Sequence, residues 1–278
     1  MAACPFQPKP FVLRARSSQN AKKRKREVVL EIFACIVGRS KRPYYYMFNL
    51  ANRTEEIELV YPFWVIKDKN ETVMIDTGFS ERMAGEKGVF DYLSPSELLP
   101  RVGLDAKDVK SIVISHLHYD HFCVPERYPN ATFYVQSDDI EYFTGRGVTH
   151  PAFKSADPTA IDQIGRLRSD GKIKAMSGDF NFSPSIKVLH VGGHTPGHQI
   201  TVIDTGEKPL VLACDASHFY ANLETRTPTS IIHNYDNYQR GFTTIETLAS
   251  GGRWFPGHDP KMLSNLEQVE ERIYRVAL

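Results

Sequence analysis

No run of apolar residues in this 278-residue chain comes near the ~18 that a membrane-crossing helix needs, so the sequence predicts no membrane span. Cysteine is scarce. Cys4, Cys35, Cys123 and Cys214 stand apart, with no C-x-x-C pair, which excludes a disulfide framework and fits a reducing, cytoplasmic compartment. No internal sequence period recurs. Acidic residues are missing altogether from positions 1–26, which hold eight bases (Lys9, Arg14, Arg16, Lys22, Lys23, Arg24, Lys25 and Arg26). This segment also lacks the apolar stretch of a secretory signal and reads as a basic, disordered extension. Its KKRKR run leaves nuclear import, a nucleic-acid patch or a transit peptide open. Without it, 26 basic residues face 33 acidic ones, so residues 27–278 carry about −7. An acidic body argues against nucleic acid as its partner, because phosphates require a basic face. At 41% hydrophobic, the chain can bury a full core, here assigned to one domain over 27–278.

What the body does contain is Ser115-His116-Leu117-His118-Tyr119-Asp120-His121, four potential metal ligands within six positions. The β-branched run Ser111 to Ile114 precedes them and reads as a buried strand, so the cluster begins where a strand ends. Alternate residues of an extended segment point the same way, which lets His116 and His118 reach one ion together. Imidazole and carboxylate donors suit zinc and similar divalent ions.

Further donors follow other predicted strands. His194 lies in Gly192–His198 (GGHTPGH) after Ile186 to Val191, Asp215 follows Leu210 to Cys214, and His258 lies in Phe255–Asp259 after Trp254. Strand-to-loop junctions are where scattered residues converge on one point. The count suffices for two ions: His116, His118 and His194 on one, Asp120, His121 and His258 on the other, and Asp215 between them, with a shared position open for water. Cys123 reads as a packed thiol, since the imidazole and oxygen set is already full. His198 reads as a loop histidine, and His150, His190 and His233 show no partner pattern.

Strands are also predicted over 28–37, 59–67, 72–75 and 131–135, with strands dominating up to Cys214. Helices are predicted to open at Ser94, to run from Asp138 to Phe143, from Asp157-Pro158 to about Arg168, and from Asn237 to Ala249.

His-x-His-x-Asp-His with a distant His, Asp and His resembles the metallo-β-lactamase-fold hydrolases. Within them the chain is most similar to the N-acyl homoserine lactonases, through Ile75–Phe79 (IDTGF), the cluster itself, GGHTPGH, Asp215–Tyr220 (DASHFY) and Pro256–Asp259 (PGHD). The resemblance implies an α/β fold, a four-layer αββα sandwich, holding two divalent ions, zinc, that a hydroxide bridges. It implies ring opening of a small-molecule lactone, with Asp120 as proton shuttle to the leaving oxygen. Tyr119, between two ligands, is a candidate for the substrate wall. Asp76 is either a partner that orients a ligand imidazole or a turn former before Thr77-Gly78. The chain departs from the family where a tyrosine three residues after the bridging Asp contacts the reacting carbonyl. Here that residue is His218, so His218, Tyr220 or neither serves as catalytic donor. Phe122-Cys123 replaces a small residue and glycine and implies a narrower pocket. Another esterase, or a phosphodiesterase, on the same two-metal site is the alternative, and a homo-oligomer is left open.

Overall fold

The computed structural model describes residues 30–69, 71–145, 154–250 and 252–278. The basic extension assigned to 1–26, and His150, lie outside the described residues. Thirteen strands are described: β1 (Glu31–Pro43), β2 (Glu56–Lys67), β3 (Thr72–Ile75), β4 (Ser111–Val113), β5 (Thr132–Gln136), β6 (Ile173–Met176), β7 (Phe180–Asn181), β8 (Ile186–His190), β9 (Gln199–Asp204), β10 (Pro209–Cys214), β11 (Arg253–Pro256), β12 (Glu267–Glu270) and β13 (Ile273–Arg275). They form an eight-stranded sheet ordered β12-β13-β1-β2-β3-β4-β5-β6 and a five-stranded sheet ordered β11-β10-β9-β8-β7.

Side-chain alternation along β1 shows how the layers arise. Ile32, Ala34 and Ile36 face one apolar cluster, and Phe33, Cys35 and Val37 face another. The first cluster lies between the sheets, where Val60, Trp64 and Val113 meet Val188, Leu212 and Phe255. The second packs the outer face of the large sheet on Leu98, Ile140, Phe143, Ile161 and Ile164 of three helices. On the other side, Leu189, Val211 and Ala213 meet Tyr238, Phe242 and Ile245 of helix Tyr235–Ala249. Helix, sheet, sheet, helix is the order across the molecule, the αββα sandwich.

Two helices start where the sequence marks them, the last begins at Tyr235 rather than Asn237, and Glu81–Glu86 and Tyr220–Glu224 have no counterpart in the expectations. Ser94 and Glu97 form a capping box before Pro95–Leu98, and the Asp157 carboxylate accepts from Thr159 N–H at the start of Pro158–Ser169. Strands β12 and β13 have no counterpart in the expectations. All four residues of β12 are exposed and none alternates with an apolar face, so no period-2 signal is present to find. Among the described residues no helix is long and apolar enough to cross a membrane.

Candidate metal centre

Strands β3, β4, β5 and β6 pair in parallel, so Asp76 after β3 and the His116–His121 loop after β4 emerge at the same end of the large sheet. In the small sheet β8 and β10 each run antiparallel to β9, and β11 runs parallel to β10. His194, Asp215 and His258 therefore also leave from one end, the carboxyl ends of β8, β10 and β11. The two sheet ends meet here, and the backbone bends sharply to make the meeting. Asp76 (φ 67°) and Cys214 (φ 45°), both non-glycine residues, take the left-handed region at these junctions.

The seven candidate ligands all converge. His116 Nε2 lies 2.9 Å from His118 Nδ1, and His194 Nε2 lies 3.0 Å from that same nitrogen. Asp215 Oδ2 is 3.2 Å from His194 Nε2 and 3.6 Å from His116 Nε2. Its other oxygen, Oδ1, turns the opposite way, 2.9 Å from His258 Nε2 and 3.4 Å from His121 Nε2. Asp120 Oδ2 completes this second group at 3.5 Å from both imidazoles. An ion bonded at ~2.1 Å to a tetrahedral set holds its donors about 3.4 Å apart, so these spacings suit one ion in each group. Asp215 stands between them.

The remaining ring nitrogens show that the donors are aimed. His121 Nδ1 donates to Asp76 Oδ2 (2.7 Å), His258 Nδ1 to the Val60 carbonyl (2.9 Å) and His194 Nδ1 to the Ile231 carbonyl (3.0 Å). Ser115 Oγ donates to Asp76 Oδ2 and sits 3.1 Å from His116 Nδ1. Each Nε2 lone pair is thereby left pointing inward, the arrangement metal-bound imidazoles require. His121 Nε2 and Asp215 Oδ1 are fully buried with no hydrogen-bond partner, a costly state that a cation would relieve. The donor set fits divalent metal ions. Of the two readings of Asp76, the geometry has it orienting His121 while it also turns the chain.

Burial drives the His116 and His118 imidazoles well below their usual pKa, so both are neutral, as ligands must be. Burial raises Asp120, but His121 and His258 outweigh it and hold the carboxyl at about 2. For Asp215, His218, His258 and His121 likewise overcome burial and keep it well below the carboxylate range. Asp139, absent from the expectations, ties the two ligand loops together. Its buried carboxylate accepts from Leu117 N–H (3.1 Å), Thr195 Oγ1 (3.0 Å) and Gly197 N–H (2.5 Å). Nothing in the sequence marks it apart from other helix acids.

A cavity of about 110 Å³ opens onto the donors and is lined by Tyr119, Asp120 and His218 among others. A larger groove, about 460 Å³, runs between helices Ser137–Thr144 and Pro158–Ser169, away from these donors. Tyr119 packs against Phe79 (5.5 Å between ring centres) and Tyr61, forming one wall of the smaller cavity. His218 reaches the centre, with Nε2 3.0 Å from Asp215 Oδ2, and burial lowers its pKa to about 4. Tyr220 does not. Its ring stacks edge-on against Trp254 and its hydroxyl lies 3.4 Å from the Trp254 carbonyl, because helix Tyr220–Glu224 begins there and turns the side chain toward the inter-sheet core. Cys123 is no ligand. It is buried beside Asp157, 3.1 Å from Oδ2. His198 stacks near His116 with neither ring nitrogen bonded. Arg42, Tyr61 and Lys87 also line the cavity, and sequence reasoning missed them because they lie on distant segments that carry no motif.

Residues 59–270 match the model of the metallo-beta-lactamase superfamily. The chain is similar to N-acyl homoserine lactonase AttM of Agrobacterium fabrum, 26% identical over 244 residues that cover 78% of this chain and 88% of the relative. It is likewise similar to AttM of Azorhizobium caulinodans, 28% identical over 236 residues covering 74% and 84%. Among solved structures it superposes on an N-acyl homoserine lactone hydrolase with the product N-hexanoyl-L-homoserine bound at its catalytic metal centre. That TM-score is 0.71 at 21% identity, covering 84% of this chain and 94% of the other. The dizinc quorum-quenching lactonase AidC gives a TM-score of 0.65 at 20% identity, covering 84% and 88%. At these identities the superpositions establish the fold.

Proposed function

Because the chain belongs to the metallo-β-lactamase superfamily, and its relatives carry the names of N-acyl homoserine lactonases, we propose that it is a dinuclear metal-dependent hydrolase that opens the ring of a lactone. One observation carries the reading. A single carboxylate, Asp215, presents its two oxygens to two separate groups of oriented imidazoles. Two divalent ions, zinc by the chemistry of the donors, would lower the pKa of a water and polarise the ester carbonyl.

The chain's own residues supply the rest. Asp120, kept ionised by His121 and His258 and lying at the cavity floor, accepts the proton released on attack and passes it to the departing ring oxygen. His218 lines the cavity and is neutral at physiological pH; its Nε2–H, which lies 3.0 Å from Asp215 Oδ2, would turn to the carbonyl oxygen as negative charge develops there. Tyr119 and Tyr61, with Phe79 packed behind them, form an aromatic wall that orients the ring.

Metal content and turnover, measured on one preparation, test this. Two ions per chain and ring opening across a lactone panel are expected. Asp120→Asn keeps most of the metal and loses most of the turnover, since an amide cannot accept the proton. His116→Ala loses both. An Asp120→Asn variant as active as the parent would remove the shuttle, and turnover of bis(para-nitrophenyl) phosphate without lactone opening would assign a phosphodiesterase instead.

A further inference from the structure

Above the metal donors, the cavity is lined by two cations with no part in the chemistry just described. Arg42 stands near the end of β1 and Lys87 closes helix Glu81–Glu86, so only the fold brings them to one cavity. Neither meets a carboxylate among the described residues. The Arg42 guanidinium is braced by neutral acceptors, the Lys87 carbonyl (2.6 Å), the Lys41 carbonyl (2.9 Å) and the Tyr61 hydroxyl (3.4 Å). The Lys87 ammonium lies 5.2 Å from the centre of the Tyr119 ring and 3.4 Å from the Lys154 carbonyl. Both side chains are half-buried. Among the described residues, the only acids that line the cavity are Asp120 and Asp215, and both already face imidazoles.

Two braced cations without counter-charge, beside a centre built for divalent ions, make this cavity strongly positive within a body that is acidic overall. Such a field favours an anion. Guanidinium braced on two sides presents its remaining N–H groups in a fixed direction, the geometry that suits a carboxylate. Volume points to a small molecule. At about 110 Å³ the cavity is well below the ~300–1,000 Å³ that encloses drug-sized ligands. A long neutral acyl chain would leave both cations unpaired and has little room.

Resting on the lactonase reading, we propose that Arg42 and Lys87 form an anion subsite, and that the substrate is a small lactone bearing a carboxylate on its ring. The scissile ester sits over the metal donors and the ring carboxylate reaches up to the two cations. Ring opening then yields a hydroxydiacid, one carboxylate at each end of the cavity.

Two lactones of matched size separate charge from shape: γ-carboxy-γ-butyrolactone and its carboxamide. The metal-loaded protein is expected to open the carboxylate with a kcat/KM at least ~10-fold above the amide, a preference that shrinks with added salt. Arg42→Gln and Lys87→Met should each cut that ratio by roughly 10-fold, the scale of one lost charge-assisted contact. Lys87→Met serves if Arg42→Gln melts early, because among the described residues the Lys87 side chain meets a ring face and one carbonyl. Calorimetric titration with the ring-opened hydroxydiacid and its half-amide reads the subsite without turnover, and tighter binding of the diacid that both variants abolish supports it. Equal opening of the pair with equal binding of the two products overturns the subsite and leaves lactone hydrolysis standing. Failure to open either lactone counts against the hydrolase reading, and the calorimetric preference then decides the subsite alone.

Discussion

His218 occupies a position where the resemblance implies a tyrosine, and it lines the cavity beside Asp215. Burial keeps it neutral, and its Nε2 faces the Asp215 carboxylate. His218→Ala should lower kcat by roughly 10²–10³ in single-turnover measurements with bound metal unchanged, the usual cost of one lost donor to a developing oxyanion. Tyr220→Phe should be nearly silent, because among the described residues that hydroxyl meets the Trp254 carbonyl and Asn265, away from the cavity. A full rate in His218→Ala would take the imidazole out of the reaction. Cys123 offers a pH-dependent contrast. Burial, with Asp157 beside it, pushes its thiol up to about 12, and only the thiolate is nucleophilic. A raised thiol pKa means the neutral form persists through pH 9. Alkylation by iodoacetamide at pH 8, followed by peptide mass spectrometry, should leave Cys123 intact in the native protein and label it in the unfolded chain. Equal labelling in both would mean that the side chain is open to solvent and ionised.

At the scale of elements, the turns after the strands matter as much as the ligands they carry. Gly257 precedes His258, and a Cβ there would lie 2.5 Å from Asp215 Oδ1 and 2.9 Å from the Cys214 carbonyl. The β10 and β11 junctions therefore approach so closely that only glycine fits between them. Gly257→Ala should displace the Asp215 carboxylate, costing about 1–3 kcal/mol of stability and most of the bound metal, checked by melting and elemental analysis. A variant with full metal and full rate would show that the carboxylate has room to spare. The same close approach holds Gly193 against Tyr238, where a Cβ would meet backbone at 2.6 Å with φ at 93°. Glycine here sets the position of His194, one residue on.

Across the whole molecule, the donors are divided between the sheets. His116, His118, Asp120 and His121 belong to the large sheet, and His194, Asp215 and His258 to the small one. Bound ions would therefore clamp the sandwich at one end, in addition to the apolar layer between the sheets. Ions present at 100 times their Kd stabilise the folded state by about 2.7 kcal/mol per site, and a domain of this size shifts by roughly 2–4 °C per kcal/mol. Removing metal with a chelator should lower the Tm by at least ~5 °C, and adding zinc back should restore it. A Tm indifferent to metal would mean that the seven donors are held in place without ions.

The sequence by itself determined the candidate donors, the strands that carry them and the starts of two helices, because each leaves a local mark. Four donors in six residues, apolar runs that end at them, and Ser94 or Asp157 before a helix are all legible within a short window. Strand β12 was illegible for the converse reason, since an exposed edge strand needs no apolar pattern. The partition of the donors about Asp215 could be counted in advance, but only the meeting of two sheet ends supplies the distances. Tertiary structure alone separates His218 from Tyr220 in space, since the helix that starts at Tyr220 carries one side chain away from the cavity and leaves the other in it. It alone revealed Asp139, Arg42 and Lys87. Their roles depend on segments far apart in the chain, and a lone charge in a sequence carries no sign of what it will face once the chain has folded.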